Sequence, residues 1–228
     1  MKSNNKNFSI RGIDISKWQG KVDMSKVKKS ADFVMIRSSY GRTMVDPYFH
    51  ENMRKCEVAG IPYGIYHYVT SISLESAKEE IDFFIENIRG AYPTYPIVID
   101  IEDKWHRNHA EMANAIGIMM IRKLESMGYF AMLYTNKDFY DNVWNSSMKK
   151  DIAIWYARYT DVPFDVPANT HMIQYTSKGR IEGVSGNVDL NTCRTDFEYL
   201  IKSKGLNRLD IDETEKETCT CGCNCCSG

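Results

Sequence analysis

Two carboxylates, Asp100 and Glu102, stand one residue apart in the stretch Tyr95-Pro96-Ile97-Val98-Ile99-Asp100-Ile101-Glu102-Asp103. The apolar, β-branched residues ahead of them read as a buried strand. Side chains alternate faces along a strand, so both acids project the same way, roughly 6–7 Å apart. A pair of buried acids serves folding poorly and suits catalysis. Crowding like charges raises the pKa of at least one carboxyl, which supplies a proton donor near neutral pH without a metal or other cofactor. Asp103 stands where it would cap a following helix.

The elements that must position this pair follow from periodicity. Residues 8–14 read as a first strand ending in Asp14, followed by a loop with Trp18 and Gly20 and a short helix over 22–29. A second strand over 32–37 runs into the turn residue Gly41. Phe49, Met53 and Cys56 recur at helical spacing, with Gly60 at the expected C-cap. A third strand covers 63–68, and Ala77, Ile81, Phe84, Ile85 and Ile88 form an amphipathic stripe ending at Gly90. After the acidic strand, a helix carries Ile116, Met120, Leu124 and Met127. Further strands are expected over 129–134, 152–157, 172–175 and 188–190, with a helix over 136–144. Thr195-Asp196-Phe197-Glu198 reads as a capping box opening a last helix.

Buried strands alternating with helices about eight times argue for a mostly parallel sheet, closed as an irregular β/α barrel. Helices are weak or missing after the later strands. The barrel domain is expected over 1–205. From Leu206 an acidic run leads into Cys219-Thr220-Cys221-Gly222-Cys223-Asn224-Cys225-Cys226, which reads as an unstructured extension. A thiolate metal site and intermolecular, oligomer-forming disulfides are the other readings of that cluster.

In such a barrel, catalytic side chains stand at the carboxyl ends of strands. Those ends supply Asp14, Asp100, Glu102 and Asp189, ringed by Arg37, Tyr40, Tyr66, Tyr68, Tyr134, Trp155 and Gln174. Acids among aromatic rings suit a sugar, whose apolar faces stack on rings while its hydroxyls bond acids and amides. Glycosidic cleavage needs a protonated carboxyl and a second group that stabilises the developing cation. The 6–7 Å spacing lies between the ~5–5.5 Å of retaining pairs and the ~6.5–9.5 Å of inverting ones, so it leaves the stereochemistry open. Trp18 and Trp155 read equally as core or as sugar platforms. His67, inside an apolar strand, reads as a core histidine bonded to backbone, and Glu79 and Glu80 as a solvated helix face. His106 and His109 with the acids would make a metal site, but no well-spaced histidine pair accompanies them.

Six stretches, in order, resemble the family 25 glycoside hydrolases, the Chalaropsis-type lysozymes or N-acetylmuramidases. They are Asp14-Ile15-Ser16-Lys17-Trp18-Gln19-Gly20, Gly64-Ile65-Tyr66-His67-Tyr68, Val98-Ile99-Asp100-Ile101-Glu102, Trp155-Tyr156-Ala157, Gln174-Tyr175-Thr176 and Gly186-Asn187-Val188-Asp189-Leu190-Asn191. The resemblance implies a flattened, irregular barrel that hydrolyses, with retention, the β-1,4 bond from N-acetylmuramic acid to N-acetylglucosamine in bacterial peptidoglycan. It makes Glu102 the general acid and Asp100 its partner, either stabilising a substrate acetamido group or acting more directly. It makes Asp14 and Asp189 acids that position substrate, with Arg37, Tyr66, Tyr134, Trp155 and Gln174 lining the saccharide groove. Where many members carry a glutamate after the second strand, this chain has Tyr40 in Arg37-Ser38-Ser39-Tyr40-Gly41, which leaves contacts on that side open. A wall-binding module that no longer cuts and a metal-dependent polysaccharide deacetylase are the rival readings.

A net charge of −1 over 228 residues gives no footing for nucleic acid or an anionic membrane. No stretch approaches the ~20 apolar residues of a membrane span. Residues 1–8 are polar, without the apolar run of a signal sequence. The expectation is therefore synthesis in the cytoplasm and arrival at the bacterial wall after release, for example through a holin.

Overall fold

The computed structural model describes residues 9–208. The cysteine cluster, and with it the metal, disulfide and unstructured readings of the tail, lies outside the described residues. The strands are β1 Ile10–Ile15, β2 Phe33–Tyr40, β3 Met44–Val45, β4 Tyr63–Tyr68, β5 Ile97–Asp100, β6 Ala131–Asn136, β7 Ala153–Ala157, β8 Thr170–Gly179 and β9 Val188–Cys193. They are accompanied by α1 Met24–Val27, α2 Phe49–Ala59, α3 Leu74–Asn87, α4 Lys104–Asn108, α5 Ala110–Ser126, α6 Lys137–Asn142, α7 Ser146–Asp151 and α8 Phe197–Ser203.

The strands pair in the order β1-β9-β8-β7-β6-β5-β4-β2, and β1 meets β2 to close an eight-stranded barrel. Pairings from β1 through β2, β4, β5, β6 and β7 to β8 are parallel. Only β9 runs against both of its barrel neighbours. β3 adds a two-residue antiparallel flap to the end of β2. Among the described residues, no helix separates β7 from β8 or β8 from β9. The fold is the irregular, mostly parallel barrel that the strand–helix alternation implies.

The parallel strands β2, β5, β6 and β7 are largely apolar on both faces because both faces are buried. Outward-facing Val34, Ile36, Ile65, Ile97, Ile99 and Leu133 pack with helical residues such as Phe84, Ile116 and Leu124. Inward-facing Phe33, Met35, Val98, Met132, Trp155 and Met172 form a second cluster inside the barrel. At the amino-terminal end of the parallel strands, Phe33 stacks on Tyr95 with centroids 4.6 Å apart, and Phe197 of α8 packs edgewise on Tyr95 and Phe130. That plug needs Gly12, since a Cβ there would lie 2.3 Å from the Phe33 ring.

Several local expectations shift. The acidic strand stops at Asp100, so strand alternation does not place Glu102, which stands in the loop before α4. The last helix is capped by Asp196, which accepts from the Tyr199 amide, in place of a Thr195 capping box. The domain also runs past residue 205. Asn207 is fully buried, donates to the carbonyls of Pro93 and Tyr95 and accepts from the Phe130 amide.

Glu80 is the largest correction, for it is wholly buried while Glu79 faces solvent beside Arg42. Its carboxylate accepts from the amides of Thr70 and Ser71, from the Ser71 hydroxyl and from His67 Nε2 at 3.0 Å. His67 is therefore a core histidine bonded to side chains, Glu80 on one nitrogen and the Ser39 hydroxyl on the other. Burial holds the imidazole below its usual range. Burial alone would raise the Glu80 carboxyl, but hydrogen bonds from His67 and Ser71 outweigh it and leave the carboxyl lowered. A neutral His67 thus donates to an ionised Glu80. Glu80→Ala strands the Thr70 and Ser71 amides and the imidazole N–H inside the protein. It is expected to cost about 3–5 kcal/mol, read as a lower urea midpoint at unchanged slope.

Candidate active site

A cavity of about 290 Å³ opens at the carboxyl ends of the parallel strands. Asp14, Asp100, Glu102 and Asp189 all line it, as do Arg37, Tyr66, Tyr134, Trp155 and Gln174. The construction is a two-residue step along each strand. Val98, Met132 and Met172 belong to the barrel's interior cluster, and Asp100, Tyr134 and Gln174 stand two residues further toward the mouth on the same face. Asp189 arrives differently. It lies near the start of antiparallel β9, directly opposite Asp14 of β1, so an amino-terminal strand end meets the carboxyl ends of the others.

Hydrogen bonds orient most of these groups. Asp14 Oδ2 accepts from Gln174 Nε2 and Asn191 Nδ2, each at 2.8 Å. Gln174 Oε1 in turn accepts from the hydroxyls of Tyr134 at 2.9 Å and Tyr159 at 2.5 Å. Asn191 Oδ1 accepts the Trp155 indole N–H at 2.9 Å. Arg37 lines the mouth, yet its Nε and Nη2 both hold Asp46 Oδ2 at 2.9 Å. Asp103 makes no helix-capping bond; it accepts from the Tyr68 hydroxyl at 2.8 Å and so ties the loop bearing Glu102 to β4.

The four acids share one electrostatic condition. Burial, and then the charge of Asp189, raises the Asp14 carboxyl to about 7 against the amide bonds from Asn191 and Gln174. Burial followed by the charges of Glu102 and Asp14 holds Asp100 well above the usual carboxylate range. Asp100 is only 6% exposed and its Oδ1 has no hydrogen-bond partner. Glu102 is raised by burial, opposed by a hydrogen bond from Asn136, and Asp189 is raised by burial. Groups so close titrate as a set and hold protons in common.

The two tryptophans divide. Trp155 is 1% exposed and forms the floor under Tyr66 and Tyr134, with ring centroids 6.0 and 5.0 Å away, so it offers no open platform. Trp18 is 78% exposed at the rim. His106 is buried with Nε2 on the Ser71 carbonyl, and His109 stacks on Trp105, so neither joins the acids. Among the described residues no three His, Cys, Asp or Glu side chains are disposed to hold a metal. Tyr159, Asn191 and Asn136 belong to the site and were not singled out in the sequence. Asn136 and Asn191 sit in strands, where a buried amide was the available signal; Tyr159 lies in an irregular loop with none.

Two further cavities adjoin the mouth. One, of about 320 Å³ at the ends of β6 and β7, shares Glu102, Tyr134 and Tyr159 with it. The other, of about 570 Å³ beside β2 and β3, shares Trp18, Arg37 and Tyr68. In the barrel order β2 and β7 are four places apart, so the two lie on opposite sides of the mouth.

Proton donation to a sugar oxygen is the chemistry this mouth supports, and a barrel so equipped is a glycoside hydrolase. The family follows from comparison. The model for glycosyl hydrolases family 25 matches residues 13–184, and the chain belongs to that family. It is 28% identical over 183 residues to the autolytic lysozyme of Clostridium acetobutylicum, covering 80% of this chain and 55% of that protein. It is 29% identical over 198 residues to Lysozyme M1 of Streptomyces globisporus, covering 80% and 67%. The solved structure of the Clostridium perfringens spore cortex lytic enzyme SleM matches with a TM-score of 0.73 at 27% identity, covering 86% of this chain and 70% of that one.

The raised carboxyls carry a stability signature. Asp100 holds its proton more tightly folded than unfolded, so the folded state binds the extra proton between the usual carboxylate range and its raised range. The contribution of Asp100 to stability is therefore full below about pH 4 and declines as pH rises through that window. Asp100→Asn removes the decline. Its Tm is expected to exceed that of the wild type at pH 8, by about 2–4 °C per kcal/mol relieved, and to match it near pH 4. Equal melting at pH 8 would contradict this account.

Proposed function

We propose that the protein is a lysozyme of the N-acetylmuramidase type, cutting the β-1,4 bond from N-acetylmuramic acid to N-acetylglucosamine in bacterial peptidoglycan. The observation that carries the reading is the set of four carboxyls, drawn from β1, β9 and the end of β5, in one mouth where burial, joined by neighbouring charge at Asp14, Asp100 and Glu102, holds them above their usual range. The names of the relatives support a wall substrate: an autolytic lysozyme, a second lysozyme and a spore cortex lytic enzyme.

In this reading Glu102 donates its proton to the bridging oxygen as the C1–O bond breaks. Glu102 lines both the central cavity and the one beside β6 and β7. An acid at that junction lies between the sugar that keeps C1 and the sugar that leaves. The leaving N-acetylglucosamine then occupies the β6–β7 cavity and the muramic sugar the central one. Asp100 stabilises the positive charge that develops at C1, by holding the sugar's acetamido group as its oxygen attacks. Glu102, now a carboxylate, takes a proton from water as the water oxygen attacks C1 and the bond from C1 to the acetamido oxygen breaks, so two inversions retain the configuration. Asn136 steadies Glu102, while Asp14 and Asp189 position the sugar and set the charge of the cluster. Tyr66, Tyr134 and Gln174 line the groove, with Arg37 and Trp155 as its wall and floor.

Glu102→Gln is expected to lower the release of reducing ends from a peptidoglycan suspension by about 10²–10⁴-fold with the far-UV spectrum unchanged. Near wild-type clearing by that variant refutes the assignment. Mass spectrometry of the digest should find muramic acid at the new reducing ends. Acetate release abolished by EDTA would instead identify a deacetylase, and retention on peptidoglycan without new ends a binding module. Proton NMR of the first product should show the β-anomer.

A further inference from the structure

Glu102 stands in a stretch outside the regular elements, since β5 ends at Asp100 and α4 begins at Lys104. Ahead of it, the fully buried Ile101 fixes the chain in the outer core. After it the chain enters α4, which is a poor helix by itself. It has five residues, and its N-cap Asp103 makes no side-chain cap bond, so it falls well short of the length at which helices stand alone. Its ion pair from Arg107 to Asp138 is open to solvent, where such pairs contribute little. The buried tie is His106. Its Nε2 donates to the Ser71 carbonyl at 2.8 Å, while its Nδ1 has no hydrogen-bond partner. Burying an idle ring nitrogen is costly, and an apolar ring would fill the same space. The bond to Ser71 is therefore what the histidine supplies.

Ser71 can anchor that bond because it is itself held. Its amide and hydroxyl both donate to one oxygen of Glu80, whose other oxygen takes His67 Nε2 and the Thr70 amide. His67 Nδ1 meets the Ser39 hydroxyl of β2 at 2.8 Å. A buried line of side chains thus runs from Ser39 in the barrel wall through His67, Glu80 and Ser71 to His106 in the helix after Glu102. We propose that His106 is a positioning residue for the reaction, seating Glu102 at the junction of the two cavities by tying α4 to this line. The assignment rests on the proposed role of Glu102 and goes beyond it in naming what holds the acid. The Tyr68–Asp103 bond ties the same stretch from the mouth side, so β4 and the loop after it grip it from two directions. The grip matters because a displacement of about 1 Å can cost about 10²-fold in rate.

The test is steady-state kinetics of the full-length protein on soluble, peptide-free glycan strands. His106→Phe keeps a ring edge-on to Trp105 but leaves the Ser71 carbonyl without its donor. It should lower kcat about 10–100-fold with KM within about twofold of wild type, because the acid is misplaced while sugar binding is not. His106→Gln, whose amide reaches the same carbonyl, should recover most of the lost rate. In a Glu102→Gln background His106→Phe should cost nothing further, since the group it positions is gone. Asn207→Ala, which breaks buried bonds at the far end of the barrel, should lower Tm with kcat unchanged. Should His106→Phe fail to fold, His106→Asn, whose amide stops short of Ser71, takes its place in every arm. Wild-type kcat in His106→Phe, an equal loss in the Glu102→Gln background, a loss that His106→Gln does not relieve, or the same loss in Asn207→Ala overturns the positioning role while the muramidase reading stands. A wild type that releases no reducing ends from these strands removes both.

Discussion

Asp14 is the point on which the mouth depends. It sits where the barrel closes, on the one strand that pairs parallel with β2 and antiparallel with β9. Its Oδ2 takes the amides of Gln174 and Asn191, and those two residues fix Tyr134, Tyr159 and Trp155 through their own oxygens. A carboxyl buried this deeply is tolerated because it is fully hydrogen-bonded on one oxygen. The same bonds tie β1, β8 and β9 into a rigid frame. Without closure between β1 and β9, Asp14 and Asp189 would not face each other, and the crowding that raises the Asp14 carboxyl would disperse.

The interior of the barrel is divided along its axis. The amino-terminal half is apolar and closed by Phe33, Tyr95 and Phe197, and the carboxyl-terminal half is acidic. The apolar half makes the acidic half possible, since burial below offsets uncompensated charge above. Glu102 is treated differently from the other acids. It stands on a loop, half-buried, steadied by Asn136 and by the Tyr68–Asp103 tie, at the junction of two cavities. The proposed proton donor thus stands at an edge and not in the frame.

A similar logic explains the buried pair behind the mouth. Glu80 and His67 join α3 to β4 and gather the amides of Thr70 and Ser71, just after Val69, whose amide binds the Asp100 carbonyl. The loop that follows β4 is thus held from behind while Tyr68 holds its other side.

Much of this was legible in the chain. Short apolar runs ending in acids specify strands that deliver carboxyls to one end, because strand alternation is local and the carboxyl-end rule follows from parallel winding. Seven of the nine proposed site residues line one cavity for that reason, while Glu102 enters on a loop and Asp189 by the start of β9. Other features needed the folded chain. The reversal of β9, which brings Asp189 in by its amino-terminal side, depends on a pairing between residues 189 and 14. The burial of Glu80 beside an exposed Glu79 depends on which face of α3 meets His67. Trp155 became floor and Trp18 rim, and Tyr159 joined the site from a loop with no periodicity at all. By itself the sequence determined the residue types and the local faces, since these rest on neighbours a few positions away. The tertiary structure alone decided which acids crowd, which are bonded and which stand free, because those depend on contacts between strands far apart in the chain.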